Sequence, residues 1–512
     1  MADQSTKCLI VGAGPVGALS ALYAAKRGWE VEVYELREDL RDDSTNPLNF
    51  TKSINLALSE RGINAMRGTG SANLLSSVLK ETIPMYGRMI HGEDTHGNLT
   101  EEVQLYDVHG RYIRAVDRAN LNKLLLDELE GLHNVKFFFN HKLTGADFQK
   151  RRAWFEQNFC RSDKDKQTRT NERPKEIEVA FDLILGCDGA HSSVRYHMMK
   201  FVRMNFEQTY IDTLWCEFTI PAATSTSTAT LKGSSGYAIS PNHLHIWPGA
   251  DKMFIAIPSL DKTFTCTLFA SSADFAALEK HPDQILKFFQ ANFPGAAKLV
   301  GEAGLRLQFQ QNPHLPLISV KCSPHHFGSS GVILGDASHA MVPFYGQGMN
   351  AGLEDVRVLF QHLDSHPQSA EGREHALAAY SSERVPDAHA INDLALANYW
   401  EMHAGVLSPI YLLRKTVEEF LSDKFPSSGF VTQYSRVSFS NQRYSEVVQA
   451  VAKQRIILIC GMMSTFAIPL MGLLTTWAWR WHRDGRGEII GMKLISGLCE
   501  KFRKPFASLK KY

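Results

Sequence analysis

The residues of this 512-residue sequence that are most clearly suited to binding chemistry are a glycine-rich run, Gly12-Ala13-Gly14-Pro15-Val16-Gly17, and an acid, Glu35. Gly12 permits a tight turn, Gly14 lets the backbone approach a pyrophosphate, and Gly17 allows close packing of a helix on a strand. Amides at the start of the following helix favour phosphate, and the carboxylate of Glu35 can accept hydrogen bonds from ribose hydroxyls. The run therefore predicts a dinucleotide site.

The elements around this run have the order that such a site needs. An apolar strand from Cys8 to Val11 precedes the glycines, a helix-period stretch continues to Gly28, and a second strand from Glu30 to Tyr34 ends beside Glu35. This arrangement favours a bound nucleotide over a glycine-rich turn without a ligand. It does not distinguish FAD from NAD.

Two distant groups of residues make that distinction. Residues 185–195 (LGCDGAHSSVR), and residues 335–339 (GDASH) with 343–350 (PFYGQGMN), resemble the DG and GD motifs of the aromatic-hydroxylase family of FAD-dependent monooxygenases. The resemblance implies a Rossmann-type FAD-binding domain. His191 and His339 lie within these motifs, and we interpret both as packing residues.

The same resemblance implies roles for individual residues at the cofactor. Asp336 would hold the ribityl chain of FAD, and backbone amides of the helix that starts near Gly348 would stabilise negative charge on the reduced flavin ring. The other implied cofactor residues are Val16, Arg37, Ala57, Arg118, Leu143, Asp188, Ser193, Met349 and Asn350.

A narrower resemblance, to the kynurenine 3-monooxygenase family, covers much of the chain with gaps. The segments that carry it are 53–62 (SINLALSERG), 88–91 (RMIH), 245–248 (HIWP), 257–261 (IPSLD), 398–402 (NYWEM) and 438–440 (SFS). It implies an enzyme that hydroxylates L-kynurenine to 3-hydroxykynurenine with FAD, O2 and NADPH as a transient co-substrate. The implied setting is the kynurenine pathway of tryptophan degradation and NAD biosynthesis.

The resemblance also implies the substrate residues. The carboxylate of kynurenine needs a fixed cation, best a planar arginine, and Arg88 matches that position. The other implied contacts are polar groups of Tyr106, Asn398 and Tyr444 and an apolar wall of Phe344, Pro343 and Met402. We expect no catalytic base, because the aromatic amine already activates its ring. The family places an aromatic residue shortly after its WP pair, where this chain has Lys252-Met253-Phe254.

Composition narrows the function classes. The chain is 44% hydrophobic and 21% charged, as ordinary globular proteins are. A net charge of +1 argues against nucleic-acid binding. The eight cysteines are scattered without metal-ligand spacing, which favours reduced thiols and predicts no metal site. No apolar stretch precedes the first strand, so we expect no secretory signal.

The whole pattern predicts an α/β fold in several parts. An FAD-binding domain (1–200 and 326–385) is interleaved with a β-sheet substrate domain (201–325) and followed by a helical region (386–455), a membrane helix (456–479) and a basic tail (480–512). We interpret the charged segment 150–176 as an exposed loop.

The membrane prediction depends on residues 456–479, which include no charged residue and are long enough to cross a hydrocarbon layer of about 30 Å. Lys453 and Arg455 precede this stretch, and Trp477, Trp479 and Arg480 mark its end, as at a membrane interface. A buried core helix is the alternative, and Pro469 leaves a re-entrant insertion open. The basic tail and the family resemblance imply binding to membrane lipids at the mitochondrial outer membrane, with the catalytic part facing the cytosol.

Two other functions stay open at this stage. A membrane-bound flavin monooxygenase could act on another aromatic acid or on a lipid, and a lipid would not need Arg88 with Asn398 and Tyr444. A binding protein such as the escort proteins of prenylated GTPases shares this fold without using flavin. The intact segment around Asp336 counts against that second possibility.

Overall fold

The computed structural model of the chain describes residues 5–42, 55–157, 175–223, 236–249, 251–403 and 409–483. Three predicted features lie partly outside these residues: Ser53 and Ile54 of the SINLALSERG segment, most of the charged segment 150–176, and the basic tail beyond residue 483.

The strands are numbered in chain order. They are β1 (Lys7–Val11), β2 (Glu30–Tyr34), β3 (Asn55–Leu58), β4 (Thr82–Met85), β5 (Gly87–Glu93), β6 (Leu99–Leu105), β7 (Ile113–Asp117), β8 (Val135–Phe138), β9 (His141–Asp147), β10 (Arg152–Gln157), β11 (Glu176–Ala180), β12 (Leu183–Gly186), β13 (Asn205–Ile220), β14 (His243–Pro248), β15 (Met253–Pro258), β16 (Phe264–Ala270), β17 (Leu315–Ser323), β18 (His326–Phe327) and β19 (Gly331–Ile333).

The α-helices are numbered in the same way. They are α1 (Pro15–Ala25), α2 (Glu60–Arg67), α3 (Ala72–Lys80), α4 (Arg118–Glu130), α5 (Ser193–Met198), α6 (Ser272–Lys280), α7 (Ile285–Asn292), α8 (Ala296–Val300), α9 (Glu302–Gln311), α10 (Asp336–His339), α11 (Gly348–Asp364), α12 (Ala370–His403), α13 (Pro409–Lys424), α14 (Gln433–Ser438) and α15 (Tyr444–Arg483).

A six-stranded sheet carries the nucleotide motifs. Its order is β18-β19-β12-β1-β2-β8, and all neighbours except β18 and β19 run parallel. α1 is buried along nearly its whole length because its sequence, PVGALSALYAA, is apolar on every face. The glycine turn, the DG segment and the GD segment follow β1, β12 and β19 at the same edge of the sheet, because these strands are parallel neighbours. The predicted α/β fold and its Rossmann-type sheet are confirmed.

A seven-stranded sheet, ordered β17-β13-β16-β15-β14-β5-β6, forms the second layer. Residues 201–325, predicted to form a β-sheet domain, contribute five of these strands, β13 to β17. Side chains alternate along β13: Cys216 and Phe218 belong to a core that also contains Phe275, Phe289 and Phe309 of the covering helices α6, α7 and α9. The opposite face is free to form the wall of a cavity.

Part of segment 150–176 is not the exposed loop that was predicted. Residues Arg152–Gln157 form β10, which pairs with β9 and β11, and its Ala153 and Phe155 are buried. The three apolar residues in the middle of RAWFEQ are a short strand-like run, and the charged residues around it hid that signal.

The chain divides into two compact units, 1–448 and 449–512. α15 begins in the first unit and continues into the second. Among the residues that the structure describes, no helix is both long and apolar enough to span a membrane. The side chains of residues 462–470, in the middle of the predicted membrane helix, lie outside the described part.

Candidate functional site

The glycine turn between β1 and α1 has the geometry of a phosphate cradle. Gly12 has a φ of +99°, and a Cβ there would lie 2.4 Å from the carbonyl oxygen of Cys187. A Cβ on Gly17 would lie 1.8 Å from the carbonyl oxygen of Gly12, so only glycine lets α1 start this close to the turn. A Cβ on Gly14 would meet nothing within 4 Å. The backbone at Gly14 is thus open to a ligand at the N-terminus of α1.

Glu35 stands beside this turn as the sequence predicts. Its Oε2 accepts a hydrogen bond from the backbone N–H of Ala13 at 2.7 Å, and its Oε1 accepts one from the N–H of Arg37 at 3.0 Å. These bonds fix the carboxylate while leaving lone pairs available for ribose hydroxyls.

Arg118 and Asp336 approach the same space from different elements. Asp336 follows Gly335, whose φ is +58°, and its side chain is exposed to the cleft at the start of α10. Burial lowers the pKa of Arg118, and the negative charge of Asp336 opposes that shift. Arg118 and Asp336 therefore place a cation near an anion where a ribityl diphosphate needs neutralisation and hydroxyl acceptors.

Asp188, which was assigned to the cofactor, has its carboxylate bonded to neighbouring groups of the protein. Its carboxylate accepts hydrogen bonds from Ser192 Oγ at 2.5 Å and from the N–H of Val194 at 3.0 Å. Burial raises the pKa of Asp188, and these bonds oppose the shift. Asp188 lines the cleft but chiefly holds the N-terminus of α5, where Ser193 lies.

Residues 343–350, called the flavin loop below, are held in place by the side chain of Asn350. The amide of Asn350 donates to the carbonyl oxygens of Ala57 at 2.7 Å and Gly346 at 2.9 Å, and its oxygen accepts from the N–H of Ser59 at 2.8 Å. Asn350 is fully buried. It therefore positions the first turn of α11 instead of facing the cleft, which leaves Gly348 and Met349 to line it.

Three adjacent cavities share these residues. A cavity of about 560 Å³ lies over the glycine turn and Glu35, and one of about 240 Å³ lies at the N-terminus of α11. Both are lined by Arg118 and Asp336, and the second shares Ala57 and Pro343 with a third, mainly apolar cavity of about 450 Å³.

All the predicted cofactor residues except Gly17 and Asn350 line one of the first two cavities. The open backbone at Gly14, the acid at the second strand and the helix N-terminus at the far end fit an extended dinucleotide with a planar ring. The residues present therefore fit FAD.

The apolar cavity contains Arg88 at one end. Arg88 lies on β5 and is 7% exposed, and its Cζ lies 5.2 Å from the ring centre of Tyr434 and 6.0 Å from that of Tyr106. The rings of Tyr106 and Tyr434 stack at 4.7 Å. Arg88 and Tyr434 line the cavity, whereas Tyr106 lies behind them.

Phe344, Pro343 and Met402 line the cavity as predicted. Asn398 does not: its side-chain amide donates to the carbonyl oxygen of Phe344 at 2.7 Å. Asn398 therefore acts on the cavity by fixing the backbone of Phe344. Phe344 also packs against Phe269 of β16, with ring centres 5.0 Å apart.

Tyr444 does not line the cavity, although it was predicted to contribute a polar contact to the substrate. Its hydroxyl donates to Gln347 Oε1 at 3.2 Å, and its ring lies 3.8 Å from Cζ of Arg61. The residue that sequence analysis missed is Tyr434, on α14, ten positions earlier. Tyr434 lies on the short helix α14, whereas Tyr444 is the first residue of the long helix α15. The two tyrosines are close in sequence, so spacing alone did not separate them.

The two histidines of the DG and GD segments and Lys252 have different surroundings. Nε2 of His339 lies 2.5 Å from Asp355 Oδ2 in the buried interior, as a packing residue would. His191 is not the packing residue that was predicted: it is exposed in the turn after Gly189 and lines two cavities. Lys252 pairs with Asp251 and Asp274, and Phe269 provides the sheet-side aromatic that its position lacks.

One acid in the cavity wall was not predicted. Glu217, on β13, is 8% exposed and lines the apolar cavity. Burial raises the pKa of Glu217 to about 8. Nothing in the local sequence distinguishes it from a solvent-facing strand residue.

Comparison with known proteins gives consistent results. A family model described as an FAD binding domain matches residues 5–395. A kynurenine 3-monooxygenase from Chaetomium globosum is 60% identical over 90% of this chain and 97% of its own length. Another, from Neurospora crassa, is 58% identical over 93% of this chain and 94% of its own length.

Solved structures share the fold at low identity. Pseudomonas aeruginosa PqsL in complex with 2-aminobenzoylacetate is 19% identical, with a TM-score of 0.59 over 78% of this chain and 97% of its own. 2-Methyl-3-hydroxypyridine-5-carboxylic acid oxygenase, in a tetrameric form, is 19% identical, with a TM-score of 0.56 over 80% of this chain and 95% of its own.

Proposed function

We propose that this chain, which belongs to the kynurenine 3-monooxygenase family of FAD-binding proteins, hydroxylates L-kynurenine to 3-hydroxykynurenine with FAD, NADPH and O2. The observation that carries the proposal is the buried Arg88 at the end of an apolar cavity that adjoins the FAD cleft. The cavity offers one fixed cation for a carboxylate and an apolar space for a ring.

The residues of the chain contribute binding, orientation and exclusion of water. Arg88 binds the substrate carboxylate, with Tyr434 stacked beside it. Phe344, held by Asn398, packs against the aromatic ring on the side of the flavin loop. The chemistry that FAD would supply, once bound and reduced by NADPH, is an activated oxygen. The apolar walls would keep water away from that reaction, and the N-terminus of α11 would favour negative charge at the flavin ring.

The direct test is NADPH oxidation by the FAD-loaded protein with and without L-kynurenine, with the product identified by mass. We expect oxidation to accelerate on addition of L-kynurenine and one oxygen atom to appear in the product. Stimulation by another aromatic acid or by a lipid, and none by L-kynurenine, would replace this proposal with the wider monooxygenase function.

We further propose attachment to the mitochondrial outer membrane through residues 456–479, with the catalytic unit in the cytosol. Apolar side chains described in this part of α15 are exposed, among them Ile456, Leu473 and Trp477. Cations flank the stretch at Arg455 and Arg480. A chain truncated after Arg455 should move to the supernatant on fractionation and keep its FAD, whereas a truncated chain that still pellets with membranes would contradict the proposal.

A further inference from the structure

Glu217 is a buried acid whose side chain points into the cavity. Its neighbours along β13, Cys216 and Phe218, belong to the core under α6–α9, and residues alternate between the two faces of a strand. Glu217 and Trp215 therefore face the other way, and both line the apolar cavity.

The carboxyl of Glu217 has no counter-charge among the described residues. Burial alone accounts for its raised pKa, without a contribution from any cation or hydrogen bond. The titratable groups beside it are the thiols of Cys216 and Cys266, and burial raises the pKa of both, so they stay neutral. On the helix packed behind, Arg306 pairs with Glu302. A buried polar group without a partner is unfavourable unless a ligand contacts it.

A second polar side chain adjoins this acid. Thr267 of β16 is the register partner of Glu217 and lines the same cavity. Side chains of directly paired residues on one face lie about 5 Å apart. The surrounding wall of Met253, Ile255 and Phe269 is apolar. Glu217 and Thr267 therefore form a polar spot in a mainly apolar wall, with Thr265 two positions along β16.

This polar spot lies far from Arg88. In the sheet, β13 is separated from β5 by β16, β15 and β14. Four strand spacings correspond to about 19 Å between the strand axes. Both side chains line the same cavity, so each reaches over it and shortens the gap that a ligand must bridge. One functional group of a ligand cannot touch both side chains, so the cavity suits a ligand with two separate polar ends. If the carboxylate of the proposed substrate binds Arg88, its ring end points towards β16 and β13.

We propose that Glu217, together with Thr267, binds the aromatic amine of the substrate and makes the cavity selective for rings that carry one. This inference rests on the proposed function. The Thr267 hydroxyl can accept the acid proton, which leaves the carbonyl oxygen of Glu217 to accept an amine N–H. Such a bond orients the ring and leaves the nitrogen lone pair free to donate into it.

The first test measures dissociation constants of the FAD-loaded protein by calorimetry for L-kynurenine and for its analogue without the ring amine. Glu217→Leu should weaken L-kynurenine binding about 10-fold, the equivalent of one hydrogen bond, and change binding of the analogue less than about 2-fold. Glu217→Gln keeps a carbonyl acceptor and should retain the preference for the amine. Glu207→Gln, an exposed acid on the same strand, is the matched control.

The second test follows the affinity for L-kynurenine between pH 6 and 9.5. Binding excludes water from the carboxyl and so favours its protonated form, and the wild-type affinity should fall above about pH 8. The Gln variant should lack that fall, while both proteins share any effect from the substrate ammonium, from Arg88 or from His191. A purely structural role would not change this profile.

Three results would overturn the proposal: an equal loss for both ligands in Glu217→Leu, no loss for either, or identical pH profiles in wild type and Glu217→Gln. If wild type still hydroxylates L-kynurenine in those cases, the proposed function stands and only the role of Glu217 fails. If wild type neither binds nor hydroxylates L-kynurenine, the proposed function fails, and this inference fails with it.

Discussion

Two buried acidic regions of the molecule differ in how their charge is compensated. On the buried face of α11, Glu354 accepts from Arg61 at 2.8 Å and from Arg384 at 3.2 Å, and Asp355 pairs with Arg384 at 2.7 Å. In the apolar cavity, Glu217 has no such partner among the described residues. Buried charge persists where partners are built in. The first region therefore supports the fold, and the second leaves an acid available to a ligand.

The paired region also positions the site. Burial would raise the pKa of Asp355, but the charges of His339 and Arg384 lower it well below its usual range. Nε of Arg61 donates to the carbonyl oxygen of Val437 at 2.8 Å, on the helix that carries Tyr434. The ion pairs thus tie α2, α11 and α12 together behind the flavin loop, and the hydrogen bond from Arg61 adds α14.

The largest effect is expected from breaking the paired region. Arg384→Met leaves Glu354 and Asp355 with too little positive charge in a dry interior, and we expect it to lower the free energy of unfolding by about 3–5 kcal/mol. Urea unfolding of the FAD-free protein measures this loss. Arg306→Met, which removes an exposed cation, should change stability by less than about 1 kcal/mol. Similar losses in both variants would show that the buried pairs do not stabilise the fold.

Arg88→Ala should weaken substrate binding and leave FAD binding unchanged. Loss of the cation opposite a buried carboxylate weakens binding by about 2–5 kcal/mol, which raises KM for L-kynurenine steeply. FAD content, measured from absorbance, should stay normal, because Arg88 does not line the two nucleotide cavities. An unchanged KM would remove Arg88 from the substrate site.

The unpaired acid predicts a pH dependence of stability. The pKa of Glu217 is raised in the folded protein from 4.5 to about 8, so its contribution to stability is complete below pH 4.5 and is lost as the pH rises to about 8. Glu217→Gln should remove that decline, a gain of at most about 4 kcal/mol at pH 8. Parallel stability curves of the two proteins between pH 4.5 and 8.5 would contradict the burial of an unpaired carboxyl.

The cofactor cleft could be predicted from sequence because its chemistry is local. Gly12, Gly14 and Glu35 act through backbone geometry at fixed offsets within one βαβ unit, and the DG and GD segments follow neighbouring strands of one parallel sheet. Each of these features depends on a few adjacent residues. For the same reason, the predicted boundaries of β1 and β2 were correct to within two residues.

The substrate cavity was predicted less completely because its wall is assembled from distant strands. Glu217 and Thr267 meet only through the register of β13 and β16, which the sequence does not state. Asn398 was assigned to the substrate, but its partner is a backbone carbonyl that only the folded chain reveals. Asn350 was assigned through its backbone, while its side chain has the larger structural role.

The smallest effect concerns the two tyrosines. Tyr444→Phe removes one hydrogen bond, to Gln347, and leaves the ring on Arg61, so we expect a loss of stability of about 0.5–1.5 kcal/mol. KM for L-kynurenine should stay within about 2-fold of wild type, since Tyr444 does not line the cavity. Tyr434→Phe keeps the stacked ring but removes a hydroxyl beside Arg88, and it should raise KM by about 10-fold with little change in stability. The reverse ranking of the two KM values would show that Tyr444 contacts the substrate, as the sequence analysis predicted.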